Sequence, residues 1–196
     1  MKDNELKMLI LDRAQARFDR FGYQKTTMDE ISRDCGISKR TLYAHFRDKE
    51  NLFYCLILRE SRRTQAFLFA QIQRIADPVD RLKELIRIAV EYFSQDNFLT
   101  RLLKNEDALY STFLSKKYRR EVEEAIIASI AEIIEEGKNR GKIRNVDARI
   151  AAYVGLKLFQ SFSYMRTIDF DRDKEAQGYY TKELIDLIMH GLIPQK

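Results

Sequence analysis

The segment from Thr27 to Leu52 constrains the fold more than any other part of this chain. Thr27 is followed three residues later by Glu30, the spacing at which a hydroxyl and a carboxylate satisfy exposed backbone N–H groups at a helix start. Gly36 then interrupts the helical pattern, and Ser38 is a suitable N-cap for a second helix. The spacing therefore predicts two short helices joined by a tight turn.

The second of these helices has two chemically different faces. Leu42 and Phe46, four residues apart, are predicted to point inward, which leaves Arg40, Ala44 and Arg47 on the outer side. Between the turn and Arg47 the sequence has three bases and no acid. A basic helix with no carboxylate fits against the phosphates and base edges of DNA. The segment is thus predicted to be a helix-turn-helix.

Helical periodicity continues through most of the chain, which has only 7 Gly and 2 Pro among its 196 residues. This pattern favours an all-α protein. Asp48 is a candidate N-cap for one long helix over residues 48–76, in which the charged cluster from Arg59 to Arg63 interrupts the apolar pattern. We expect the domain boundary in this helix. It separates a helix-turn-helix domain (residues 1–47) from a larger helical domain (residues 48–196).

The first helix is predicted to end at Gly22, with one apolar stripe directed inward. That stripe consists of Leu6, Ile10, Ala14, Phe18 and Phe21.

Few residues are suited to catalysis or metal binding. His45 and His190 are the only histidines, and the sequence contains no phosphate-binding glycine loop, HExxH motif or Cys/His cluster. Cys35 and Cys55 are expected to be small apolar packing residues, although a regulator that senses oxidation through them remains an alternative. We expect no enzyme activity, no cofactor and no metal site.

The charge and the hydropathy pattern restrict partners and location. A formal net charge of +5 permits a polyanionic partner without requiring one. The amino terminus does not resemble a signal peptide, and no uncharged apolar stretch approaches the roughly 18 residues of a membrane span. A cytoplasmic protein without membrane association is expected, and two isolated cysteines suit a reducing compartment.

The first 55 or so residues resemble the tetracycline-repressor (TetR) family of transcriptional regulators. The resemblance rests on Phe21-Gly22-Tyr23 and on the segments TTMDEIS, CGISKRTLYAHF and DKENLF. It implies contacts to DNA phosphates from Thr27, Tyr43, His45 and Lys49, and base contacts from the start of the second short helix. With Arg47 from the helix polarity, the predicted DNA-binding residues are Thr27, Ser38, Lys39, Arg40, Thr41, Tyr43, Ala44, His45, Arg47 and Lys49.

Two of these residues have specific expected roles. The guanidinium of Arg40 is suited to bind the O6 and N7 edge of a guanine, and Ala44 is suited to contact a thymine methyl group.

The resemblance also implies a homodimer and a ligand cavity in the larger domain. Aromatic residues after Asp48 are candidates to line that cavity, although aromatics at helical spacing are commonly core residues. The candidates are Phe67, Tyr92, Phe93, Phe98, Tyr110, Phe113, Phe159 and Phe162. Glu106 and Asp107 are either counter-charges for a cationic ligand or ordinary surface acids.

The last two helices are unusually apolar, which favours a second copy of the chain as their partner. Small residues in the first of them allow close helix approach, and the second has one apolar stripe. The predicted interface residues are Ala151, Gly155, Leu184, Leu187, Ile188 and Leu192.

Together these features predict a ligand-responsive repressor that binds a pseudo-palindromic operator as a homodimer and is released by a small-molecule effector. Two alternatives remain: a helical adaptor that binds only protein, or an activator of the same family. The sequence does not identify the operator or the effector.

Overall fold

The computed structural model describes residues 3–104, 119–163 and 178–194. Within these ranges the chain is helical with short connections and has no β-strand, which confirms the all-α class. A π-helical turn (Arg119–Glu123) leads directly into the helix that begins at Glu124. The helices are α1 (Asp3–Lys25), α2 (Met28–Asp34), α3 (Lys39–His45), α4 (Lys49–Ile72), α5 (Pro78–Ser94), α6 (Phe98–Lys104), α7 (Glu124–Asn139), α8 (Ala148–Ser163) and α9 (Tyr179–His190).

Gly22 breaks the regular geometry of α1 with φ 80° and ψ 161°. Four residues of the predicted inward stripe pack in the core, but the prediction for Phe21 is wrong, because this side chain is 44% exposed. The break at Gly22 redirects the chain, so that Tyr23 packs against Phe18 and Phe53 instead. A positive φ is accessible to glycine at low cost, which explains the residue type at this position.

The helix-turn-helix forms with the predicted caps. Thr27 and Glu30 make the reciprocal capping box, with the Thr27 amide donating to the Glu30 carboxylate at 2.8 Å. Gly36 has φ 64° in the turn, and Ser38 caps α3 by accepting a hydrogen bond from the Thr41 amide at 3.1 Å. These local hydrogen bonds satisfy backbone donors that the first turn of a helix leaves without partners.

The long helix α4 begins after Asp48, which caps it as predicted, and it ends at Ile72, earlier than expected. It contributes to two separate apolar clusters. Leu52 to Ile57 pack in the first cluster with α1, α2 and α3, whereas Leu68 and Ile72 pack in the second cluster with helices α5, α7, α8 and α9.

Helix α6 also joins the first cluster, which periodicity alone did not indicate. Leu99 and Leu102 are buried there, and Arg101 forms an ion pair with Asp19 of α1 at 2.8 Å. The amino-terminal helices therefore pack against α6 as well as against α4.

Arg59 links α1 to α4 through a nearly buried guanidinium. Its nitrogens donate to Asp12 at 2.6 Å, to Gln15 at 3.0 Å and to Glu60 at 2.8 Å. A planar guanidinium is suited to several acceptors at once. The charged cluster that interrupted the apolar pattern of α4 thus contains the polar contact between the two helices.

Candidate DNA-binding surface and internal cavity

Helix α3 is held in place by apolar side chains on its inner face. Leu42 and Phe46 are completely buried, as the four-residue spacing predicted. The basic residues are therefore turned outward, because residues on the other side of a short helix cannot also reach the core.

Lys39, Arg40, Tyr43, Ala44 and Arg47 are all exposed on α3 and at its end. Lys39 forms an ion pair with Asp29 of α2, and Arg47 pairs with the adjacent Asp48 at 2.7 Å. Within the described parts of the chain, Arg40 has neither a hydrogen bond nor an ion pair.

Other predicted contact residues have structural partners at the start of a helix. The Ser38 and Thr41 hydroxyls are 2.8 Å apart, with Thr41 half-buried. The exposed Thr27 donates its hydroxyl to Glu30 at 2.8 Å. Hydrogen bonds from Thr27 are the largest cause that holds the pKa of Glu30 below its ordinary value. An ionised carboxylate is therefore maintained close to this edge of α2.

Lys49 and His45 are less accessible than the resemblance suggested. The Lys49 ammonium donates to the carbonyl oxygens of Tyr23 and Thr26, both at 2.9 Å, and lies 4.3 Å from the centroid of the Tyr23 ring. Burial lowers the pKa of Lys49. The His45 side chain is 12% exposed and lies 3.7 Å from Asp3. Both side chains contact the ends of α1 in this conformation.

Cys35 and Cys55 are half-buried and do not form a disulfide. Burial is the largest cause that raises the pKa of the Cys35 thiol. A higher thiol pKa reduces the fraction of reactive thiolate at neutral pH, which favours the packing role expected for Cys35.

A partly open cavity of about 140 Å³ lies among α4 to α9 and the π-helical turn. Most of its lining is aliphatic or aromatic, including Leu68, Leu85 and Ile130. Its polar lining residues are Ser61, Thr64, Gln65, Glu123 and Gln160.

Two of the predicted pocket residues, Phe93 and Phe159, line the cavity and contact each other with ring centroids 5.8 Å apart. Phe98 instead packs against the first apolar cluster. The remaining candidates are placed elsewhere. Phe67 is exposed. The Tyr92 side chain does not line the cavity, and its hydroxyl is hydrogen-bonded to the Thr64 hydroxyl. Phe162 packs against the second cluster, and the other candidates, Tyr110, Phe113, Glu106 and Asp107, lie outside the described residues.

The predicted interface residues do not form one exposed face. Leu184 and Leu192 are buried, and Ala151, Gly155 and Ile188 line the cavity with Leu192. Only Leu187 among the six is exposed, at 63%. Helix α8 is apolar on two sides, so periodicity did not distinguish its inner side from its outer side. The exposed apolar residues of α8 are Ile150, Tyr153, Val154 and Leu158.

Two family models match the chain. The model described as bacterial regulatory proteins, tetR family, matches residues 10–54. The model described as tetracyclin repressor-like, C-terminal domain, matches residues 78–177, just over half of the chain. The chain belongs to the TetR family. It is therefore a DNA-binding transcriptional regulator of a family whose members are not enzymes.

Relatives and solved structures agree with membership of the TetR family. The HTH-type transcriptional regulator YhgD of Bacillus subtilis is 30% identical over 156 residues, which cover 78% of this chain and 80% of YhgD. A TetR-family regulator from Mesorhizobium loti superposes with a TM-score of 0.77 and 21% identity, covering 99% of this chain and all of the other. FadR from Bacillus subtilis in complex with stearoyl-CoA gives a TM-score of 0.72 and 18% identity, covering 94% and 98%.

The polar part of the cavity was not predicted from the TetR-family resemblance or from the residues. Glu123, Lys157 and Gln160 form one hydrogen-bonded cluster there. The available signal was the charged Lys157 in an otherwise apolar stretch of α8, followed three residues later by Gln160. No described helix is long and apolar enough to cross a membrane, and the described residues contain no group of three or more metal-ligating side chains.

Proposed function

We propose that this regulator is a ligand-responsive repressor that binds a pseudo-palindromic operator as a homodimer and dissociates when a small molecule occupies the cavity. The main support for this proposal is the exposed face of α3. On this face Arg40 lies between two basic residues, Lys39 and Arg47, that already have ion-pair partners. Arg40 can therefore bind a guanine edge without first breaking an internal contact.

The proposed DNA-binding domain spans residues 1–47 and joins the larger domain, residues 48–196, through α4. Arg40 is accompanied in the major groove or along its phosphates by Lys39, Thr41, Tyr43, Ala44 and Arg47. Thr27 and Ser38 lie at helix starts, which are suited to bind phosphate. His45 and Lys49 act in this proposal mainly by fixing α3 and α4 against α1.

The proposed dimer uses the exposed outer side of α8 together with Leu187 of α9. Six large apolar side chains are exposed on these two helices, at 37–63% of their surface. Covering such a face supplies a hydrophobic driving force for association. A two-fold dimer places two recognition helices in successive major grooves, about 34 Å apart.

Release by a ligand is supported by the packing of α4 and α6. Ser61, Thr64 and Leu68 of α4 line the cavity, as do Leu99 and Leu103 of α6. The same two helices pack against the amino-terminal cluster. A ligand that binds one orientation of these helices more tightly shifts the population of DNA-binding geometries by that difference in affinity. The stearoyl-CoA complex of FadR shows a ligand bound by a regulator with this fold.

The test begins with selection of bound DNA from a random pool, followed by measurement of Arg40→Ala on the selected site. The substitution should cost about 1–3 kcal/mol of binding free energy and relax base preference at one position of each half-site. Arg74→Ala is the charge-matched control, because Arg74 is exposed in the connection between α4 and α5.

Full affinity and selectivity in Arg40→Ala would remove the proposed base contact. Selection of sites without two-fold symmetry would remove the homodimeric operator, and absence of any salt-dependent DNA binding would leave the protein-binding adaptor as the better account.

A further inference from the structure

The polar cluster of the cavity is built around the Glu123 carboxylate. The Lys157 ammonium donates to its two oxygens at 2.7 and 2.8 Å, and the Gln160 amide nitrogen donates to one of them at 3.0 Å. Lys157 also donates to the Gln160 side-chain oxygen at 2.9 Å. Gln160 is buried, with 7% of its surface exposed. The three side chains therefore hold one another in a defined geometry.

The members of this cluster are not equivalent towards the cavity. Glu123 and Gln160 line it, whereas Lys157 does not. The contacts within the cluster use one N–H and one oxygen lone pair of the Gln160 amide, and three of about four lone-pair sites of the Glu123 carboxylate, so each group keeps some capacity for a ligand. The charged group among the described lining residues is consequently an acceptor with a formal negative charge.

The other polar lining residues do not change this conclusion. The Thr64 hydroxyl is 2.9 Å from the Tyr92 hydroxyl, and the Gln65 amide donates to Ser129 at 3.4 Å. Neither side chain supplies a positive charge. Within the described lining no Lys or Arg is present, so an anionic head would meet the Glu123 carboxylate, whose paired cation Lys157 does not itself line the cavity.

The size of the cavity restricts the apolar part of a ligand. A cavity of about 150 Å³ lined by Leu, Ile and Phe is known to hold a benzene ring, and this one has about 140 Å³ and a largely apolar wall. One ring or a short branched chain fits without displacement of the helices. A long acyl chain exceeds this volume.

We propose that the cavity binds small apolar amines, with Glu123 accepting a hydrogen bond from the protonated amine in competition with the Lys157 ammonium. This inference rests on the proposed function only in taking the cavity as the effector site. Glu123 acts as the binding residue for the head group, Gln160 acts as a positioning residue, and Lys157 competes with the amine for the carboxylate.

The first experiment compares probes that share one ring and differ in the head group. Binding of 2-phenylethylamine, 2-phenylethanol and 3-phenylpropionate to the full chain is measured by isothermal titration calorimetry at pH 7. The amine should bind about tenfold or more tightly than the carboxylate, because a hydrogen bond to a charged acceptor is stronger than a neutral one and like charges repel. The alcohol should be intermediate.

Two variants should move amine binding in opposite directions. Glu123→Gln keeps the side-chain shape and removes the charge, so the amine should lose about tenfold to hundredfold in affinity. Lys157→Gln removes the competing cation and should strengthen amine binding several-fold, with the preference over the carboxylate increased. Thermal unfolding checks that each variant folds. If Glu123→Gln does not fold, the change in amine affinity of Lys157→Gln tests the proposal by itself.

The inference is overturned if 3-phenylpropionate binds as tightly as the amine, if no probe binds at millimolar concentration, or if Lys157→Gln leaves amine affinity unchanged. Operator binding is measured in parallel. Amine binding without change in DNA affinity supports the head-group chemistry and contradicts effector release. Release of DNA by an anionic compound in this cavity supports the proposed function and contradicts the head-group chemistry.

Discussion

Arg40, Arg47 and Lys49 carry the same charge within ten residues, yet their surroundings differ. Arg40 has no ion pair among the described residues, Arg47 pairs with Asp48, and Lys49 donates to two backbone carbonyls. A side chain without an internal partner can bind DNA without losing a contact. The different roles proposed for these residues therefore follow from their contacts and not from their residue types.

Lys49→Met should lower the free energy of unfolding by about 1–2 kcal/mol, since the carbonyl oxygens of Tyr23 and Thr26 lose a charged donor while the aliphatic stem is retained. Urea denaturation measures this change. Lys25→Met is the matched control, because Lys25 is exposed near the end of α1.

Unchanged stability in Lys49→Met, together with weaker binding to every DNA sequence and a salt dependence reduced by about one counterion, would indicate that Lys49 is instead a phosphate contact. The two outcomes separate the structural role from the role that the resemblance implied.

The starts of helices α2, α3 and α4 are each specified by residues that lie close together in the sequence. Thr27, Ser38 and Asp48 each accept a hydrogen bond from an amide three residues later. Each cap joins residues separated by only one turn, so their spacing in the sequence was sufficient to predict them.

The Asp48 cap should make stability depend on acidity. The hydrogen bond from the Asn51 amide, and then the Arg47 side chain, hold the pKa of Asp48 below its ordinary value of 3.8. A lowered folded pKa stabilises the fold above the unfolded value, and this stabilisation is lost as the pH falls through the folded value. Asp48→Asn keeps a capping oxygen without this titration.

At pH 7 wild type should exceed Asp48→Asn in stability by a few tenths to about 1 kcal/mol, since the carboxylate is partly exposed. The difference should shrink as the pH is lowered below about 4, as measured by urea denaturation at several pH values. Asp48→Ser, a second neutral cap, should behave like Asp48→Asn. A difference that stays constant from pH 7 to pH 3 would contradict the assignment.

Helices α4 and α6 are each part of two environments. Both pack in the amino-terminal cluster and both line the cavity. Residue spacing predicted α6 as a helix but not its position against α1, because Leu99 and Arg101 contact residues more than 40 positions away in sequence. Any coupling between the cavity and α3 has these two helices, together with Phe93 of α5, as its direct physical connection.

For the whole molecule, the exposed apolar face of α8 and α9 predicts the oligomeric state. Tyr153→Glu or Leu187→Glu should raise the dimer dissociation constant by about a hundredfold or more, because a two-fold interface brings two introduced carboxylates close to apolar surface and to each other. Sedimentation velocity at micromolar concentration measures this.

Phe67→Glu is the matched control, since Phe67 is 52% exposed on α4, away from this face. A dimer that persists unchanged in both interface variants would place the contact elsewhere, and monomeric wild type would remove the proposed operator geometry.

The sequence by itself determined the helical class, the helix-turn-helix, its caps and the inward position of Leu42 and Phe46. All of these depend on hydrogen bonds or spacings within one or two turns. Family membership also followed from the conspicuous pattern over the first 55 residues. The candidate cavity was predicted only as a property of the larger domain, and of the aromatic candidates Phe93 and Phe159 line it.

Only the tertiary structure decided which of the two apolar sides of α8 is buried, and which polar contacts the charged residues form. Lys49 and Tyr23 are 26 residues apart, Glu123 and Lys157 are 34, and Arg59 and Asp12 are 47. Periodicity assigns a residue to one side of its own helix, but it does not determine how that helix is rotated about its axis relative to its neighbours. Those rotations are set by the packing of all helices together.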